Sequence, residues 1–198
     1  MKKLLCLALS LLFLLGFSAC ERSELTGSWQ AKITYAELTE GQITAGFGKY
    51  SDHIKGLDSV SLHYTYTFSE DGTYLEACDT ESFLNDLNEI LKDGITAYYT
   101  DYIAENRLNI TPKDAMAADG ITFDDLVDES VISSYKPREG NFKTKDGRLY
   151  LSQSLDTAID EAVYTEYELK GNKLTLKKAV GASFSVSSML PITFNKID

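Results

Sequence analysis

The side chains that could do chemistry are few and scattered. His53 and His63 are not at a metal-binding pair spacing. His63 alternates with Ser61, Thr65 and Thr67 on the polar face of a strand-like stretch, where a solvated or hydrogen-bonded imidazole is the expected state. No Gly-x-Ser-x-Gly elbow and no phosphate-binding loop occurs. The acids Asp124, Asp125, Asp128 and Glu129 follow a helical phase and lack the central glycine and late glutamate of a calcium loop, so they read as a helix start favoured by its dipole. Paired acids for glycoside hydrolysis need not be neighbours in sequence, but abundance of carboxylates nominates none. No catalytic residue, metal ligand or cofactor is therefore expected, and a hydrolase is a distant third reading.

Three cysteines remain to be placed. Lys2 and Lys3 precede an apolar tract from Leu4 to Phe17, shorter than the roughly 20 residues a membrane-spanning helix requires. A cleaved leader over residues 1–19 fits better. It ends in Phe17-Ser18-Ala19-Cys20, which resembles the lipobox of bacterial lipoproteins. The resemblance implies that Cys20 receives a diacylglycerol thioether and becomes the acylated N-terminus, with residues 20–25 as a lipidated tether. Each buried methylene contributes about 0.8 kcal/mol, and stable anchoring needs more than one chain. Cys6 leaves with the leader, and Cys78 stays alone as a small residue at a strand end.

Without Lys2 and Lys3 the chain keeps 19 − 2 = 17 basic side chains against 30 acidic ones, a formal charge of 17 − 30 = −13. Such a surface repels nucleic-acid phosphates and anionic lipid heads. Nucleic acid is excluded as a partner, and attachment to the membrane is expected to come from the lipid on Cys20. The expected location is the bacterial cell envelope.

Residues 26–198 suffice for one domain with a real core. The stretch "LTGSWQAKITYAEL" alternates Trp29, Ala31, Ile33 and Tyr35 against Ser28, Gln30, Lys32 and Thr34, the period of a half-buried strand. "VSLHYTYTFSEDGTYLEA" repeats it with Leu62, Tyr64, Tyr66 and Phe68, then turns at Asp71-Gly72. "GNFKTKDGRLYLSQ" holds another Asp-Gly turn. "VYTEYELKGNKLTLKK" sets Val163, Thr165, Tyr167 and Leu169 inward, turns at Gly171-Asn172 and returns through Leu174 and Leu176; "LPITFNKID" supplies a closing strand.

A helical insertion over about residues 79–133 interrupts this meander. Phe83, Leu84, Leu87, Ile90 and Leu91 have helical spacing behind an Asp79 or Thr80 cap, and "TPKDAMAADG" and "TFDDLVDESV" open with helix-start signals. "ITAYYTDYIAENRL" is read as helix, although its β-branched and aromatic residues also suit a strand. The insert is placed to cover one mouth of whatever the strands enclose.

The expected class is mainly β: an antiparallel meander of about eight strands closed into a barrel, which removes its edges. Gly27-Ser28-Trp29 resembles the Gly-x-Trp of lipocalins, and "GTYLE" and "GNKLTL" are similar to hairpins of small lipocalin-like bacterial lipoproteins. The resemblance implies that Gly27 bends the chain at the barrel mouth and that Trp29 plugs the closed end. Lipocalins stack an arginine from near the last strand on that tryptophan, whereas here the final strand offers Lys196.

The resemblance implies a non-enzymatic binding protein for a small apolar or amphipathic ligand or a protein partner. Trp29, Tyr35, Tyr64, Tyr66 and Tyr167 are the candidate lining residues. The alternative is an interaction or inhibitor module with a filled core, contacting its partner through Tyr98, Tyr99 and Tyr102 on the insert.

Overall fold

The computed structural model describes residues 24–39, 47–122, 136–181 and 189–197. The leader, Cys20 and the acidic stretch 124–129 lie outside the described residues. Eight strands form one closed antiparallel barrel in which each pairs with the next and the last returns to the first. They are β1 (Gly27–Thr34), β2 (Ser61–Phe68), β3 (Thr73–Cys78), β4 (Arg138–Lys145), β5 (Arg148–Leu151), β6 (Tyr164–Lys170), β7 (Lys173–Val180) and β8 (Ile192–Lys196).

The two-residue period sets the register. Trp29 faces Tyr66, Ala31 faces Tyr64 and Ile33 faces Leu62 across β1 and β2, so every inward residue of one strand meets an inward residue of the next. A shift by one would turn all of them to solvent. Tight turns join β2–β3, β4–β5 and β6–β7 at one end of the barrel. Asp146 and Gly147 both take positive φ (52° and 72°), as the primed two-residue turn requires. The β6–β7 pairing shifts register between Glu166 and Tyr167, which leaves Lys177 as an extra residue on β7.

Longer connections gather at the opposite end. α1 (Tyr35–Leu38) follows β1 directly, and this corrects the expected strand position of Tyr35. Thr34 accepts from the Glu37 amide while the Glu37 carboxylate accepts from the Thr34 amide at 2.7 Å, a capping box that stops the strand one residue earlier. Tyr35 is half-buried and stacks on Phe83 with ring centres 6.4 Å apart.

The insert begins with α2 (Thr80–Asn106), one continuous helix of 27 residues that absorbs the ambiguous tyrosine-rich tract. Asp79 caps it by accepting from the Ser82 amide at 3.1 Å, and Arg107 ends it in the left-handed conformation. α3 (Pro112–Ala118) starts from a second capping box, between Thr111 and Asp114. The buried stripe of α2 recurs every fourth residue: Phe83, Leu87, Leu91, Ile95 and Tyr99.

That stripe serves two cores. Phe83, Leu87 and Leu91 join the cluster that contains Trp29, Leu62, Tyr64, Tyr66, Phe68 and Phe194, so the first half of α2 closes the barrel mouth. Ile95 and Tyr99 join Ala115 and Met116 in a separate cluster outside the barrel.

Candidate functional site

The barrel interior is the first place to look. Tyr64 and Tyr66 come from β2, and β3 presents Tyr74 and Glu76 on its inward parity. The Tyr64 hydroxyl donates a very short hydrogen bond to one carboxylate oxygen of Glu76, and the Tyr66 hydroxyl donates to the other at 3.2 Å. Tyr74 donates to the Ser152 carbonyl at 2.7 Å. Burial drives the Tyr64 and Tyr66 hydroxyls far above the ordinary tyrosine range, with neighbouring charge adding to it. Burial also lifts Tyr74 to about 12 and the Cys78 thiol at the end of β3 to about 12.

This polar centre is walled in. The Tyr66 ring has Phe194 at 5.4 Å, Tyr64 at 5.5 Å and Phe68 at 5.6 Å. A void wide enough for water leaves accessible area on the side chains that line it. Trp29, Leu62, Tyr64, Tyr66, Phe68, Leu149, Leu174 and Phe194 are each at most 1% exposed. They line no sizeable void. Glu76, 2% exposed, fastens β2 to β3 and cannot meet a substrate from solvent.

The other interior candidates divide. Trp29 is buried at the tight-turn end, with its indole N–H donating to the Leu25 carbonyl at 2.6 Å. The Lys196 ammonium lies 5.4 Å from the Trp29 ring centre and donates to the Thr26 carbonyl at 3.0 Å. Gly27, at the start of β1, has φ of 120°, a conformation that favours glycine. Tyr167 is half-buried and donates to Glu24 at 2.7 Å, away from the Tyr64–Tyr66–Glu76 group. His63 bonds to Gln30 at 3.2 Å on the outer face.

A second place lies on the insert. Lys49, Tyr98, Tyr99, Tyr102, Leu108, Ile110, Ala115, Ala118 and Asp119 line a recess of about 380 Å³. α2 supplies the tyrosines, α3 and the residue after it supply the floor and Asp119, and the short turn Gly48–Tyr50 brings Lys49 across. Asp119 is the hub: it accepts from Tyr99 at 2.6 Å and from the Lys49 ammonium at 2.9 Å. Those two bonds hold its carboxyl below the usual carboxylate range, the tyrosine bond most strongly. Burial, reinforced by Asp119 and Tyr50, pushes Tyr99 well above its ordinary value.

The recess is open and partly apolar. Tyr102, Leu108 and Ile110 are 43%, 40% and 45% exposed. The sequence offered Tyr98, Tyr99 and Tyr102; it gave no sign that Lys49 and Asp119 join them, since these are brought together only by the fold. Glu76 was also missed, although it shares parity with Tyr74 in the strand after Asp71-Gly72.

No family model, curated protein or solved structure matches the chain.

Proposed function

We propose that this chain is a lipid-anchored, non-enzymatic binding protein of the bacterial cell envelope. Its barrel is a lipocalin-like scaffold with a filled core, and its binding site is the tyrosine recess on the insert. The ligand is a small amphipathic molecule. One observation carries this reading: inside the barrel Trp29, Leu62, Tyr64, Tyr66, Phe68, Leu149, Leu174 and Phe194 are each at most 1% exposed, while a recess of about 380 Å³ opens outside the barrel among exposed tyrosine and aliphatic side chains. Small-molecule pockets run from about 300 to 1,000 Å³ and combine apolar walls with a few oriented polar groups. Tyr99, Lys49 and Asp119 supply the polar groups here.

The lipidated Cys20 follows from the lipobox resemblance and fixes the domain to a membrane surface. Labelled palmitate should enter the wild type and be lost in Cys20→Ser.

The site itself is tested with Nile red, a neutral amphipathic probe. Its emission should rise saturably with wild-type protein, weaken several-fold in Tyr102→Ser and Ile110→Ser, and leave Trp29 emission unchanged. A probe that shifts Trp29 emission and ignores both substitutions would return the site to the barrel interior.

A further inference from the structure

We propose that the recess binds a small organic cation carrying an alkylated ammonium group, and that Lys49 is a built-in placeholder for it. This rests on the reading of the recess as the binding site and adds the ligand's chemical class. The Lys49 ammonium lies 5.2, 5.3 and 5.6 Å from the ring centres of Tyr50, Tyr98 and Tyr99. It also lies 2.9 Å from Asp119. Several aromatic faces around one positive centre are the arrangement that recognises quaternary ammonium groups.

The cage is held by contacts that do not involve Lys49. Tyr98 meets Tyr50 edge-on at 5.0 Å and Tyr99 edge-on at 5.1 Å. The Tyr99 hydroxyl is fixed between Asp119 at 2.6 Å and the Tyr50 hydroxyl at 3.2 Å. Departure of the lysine therefore leaves the rings and the carboxylate in position.

Lys49 is built to leave. Its side chain is 49% exposed and is carried on a three-residue turn, so the ammonium can swing into water on its flexible stem. A primary ammonium is strongly hydrated and gains by that move. An alkylated cation holds water less tightly and fits the ring faces better. The space beside the cage, bounded by Tyr102, Leu108 and Ile110, accepts the rest of the molecule. A net charge of −11 on the whole chain concentrates cations near the surface. The competing account makes Lys49–Asp119 a plain brace between the Gly48–Tyr50 turn and the insert.

Choline is the probe, titrated into the purified full chain with its N-methyl proton resonance followed by NMR. Binding inside the cage should move that resonance upfield by ring current. We expect saturable binding to wild type, at least fivefold tighter binding to Lys49→Ala, and at least tenfold weaker binding to Asp119→Asn. The neutral isostere 3,3-dimethylbutan-1-ol should be refused. In wild type, saturating choline should also speed acylation of the Lys49 amine, a readout that needs no variant to fold. Phosphatidylcholine vesicles should not retain the protein beyond what its own lipid gives; retention without binding of free choline would overturn the small-molecule source. Equal binding of choline and its isostere, or no gain in Lys49→Ala together with unchanged Lys49 acylation, would overturn the placeholder. If Nile red occupies the recess but choline is refused, the cation assignment falls and the recess remains a binding site. If neither binds, the recess reading falls too.

Discussion

Trp29 and Lys196 face each other across the β1–β8 seam, and the ammonium of Lys196 sits over the indole 5.4 Å from its centre. The strand that closes the barrel therefore brings its own cation to the residue that plugs the barrel's end. Trp29→Ala should cost about 3–5 kcal/mol, the range for deleting a large buried aromatic. Trp29→Phe should cost much less. Lys196→Met keeps the stem but loses both the ring contact, worth about 0.5–1 kcal/mol at such a site, and the ammonium's hydrogen bond to the Thr26 carbonyl, so its cost should exceed that of the ring contact alone. Urea unfolding measures all three, and blue-shifted wild-type emission with slow iodide quenching reports the burial directly.

Glu76 gives a different signature. Glu76→Ala removes the acceptor of both Tyr64 and Tyr66 and strands two buried hydroxyls. With about 1–3 kcal/mol for each buried polar group left unsatisfied, the loss should reach about 3 kcal/mol. Glu76→Gln, which keeps the shape and one acceptor oxygen, should lose less. A Glu76→Ala protein as stable as wild type would show that the phenols find other partners.

Alkali should reveal as a class the tyrosines that whole or partial burial perturbs. Tyr74 and Tyr167 are lifted to about 12, and Tyr64, Tyr66 and Tyr99 are raised further still, chiefly by burial. In the unfolded chain the same groups ionise near pH 10. Above that value the unfolded state sheds protons that the native state keeps, so stability is full below about pH 10 and falls as pH rises toward 12 and beyond. Ultraviolet titration should show this set ionising only with loss of Trp29 burial. Smooth titration of every tyrosine near 10 in folded protein would contradict the packing.

Gly94 tests how α2 is seated. A glycine inside a helix gives up about 1 kcal/mol relative to alanine, so Gly94→Ala should stabilise an isolated helix. Here the new Cβ would lie 2.6 Å from Ile54 Cγ1 and 2.8 Å from Ile54 Cα. A backbone atom cannot step aside as a side-chain tip does, and overpacking costs about 1–3 kcal/mol. The net change should be a loss of up to about 2 kcal/mol by urea unfolding. A gain would mean that α2 does not lie against Ile54.

The strands were legible because alternation is local. Leu62, Tyr64, Tyr66 and Phe68 needed only parity to be placed inside, and the Asp-Gly pairs marked their own turns. Tyr35 departs from its expected strand position because alternation continues through "ITYAEL" past a Thr-x-x-Glu box that ends the strand at Thr34. The tyrosine tract is helical despite its β-branched content because the four-residue stripe from Phe83 runs unbroken to Tyr99. The recess was only half visible: its tyrosines share one helix, while Lys49 and Asp119 stand 70 residues apart in the chain. Glu76 stayed hidden because a glutamate in a strand reads as exposed until its partners are known.

The single helix α2 runs through both cores, and at about 1.5 Å per residue its 27 residues make a rod about 40 Å long. One end is clamped into the barrel and the other forms a wall of the recess, so neither part can melt without loosening the other. Anything that grips the far wall must then stabilise the whole domain, by about 2.7 kcal/mol at a hundredfold excess over its dissociation constant, and so raise its melting temperature. The lone tryptophan, at the opposite end of the barrel from the long connections, becomes a remote gauge. A library of candidate molecules can be ranked by thermal shift read from Trp29, without any label on the molecules themselves.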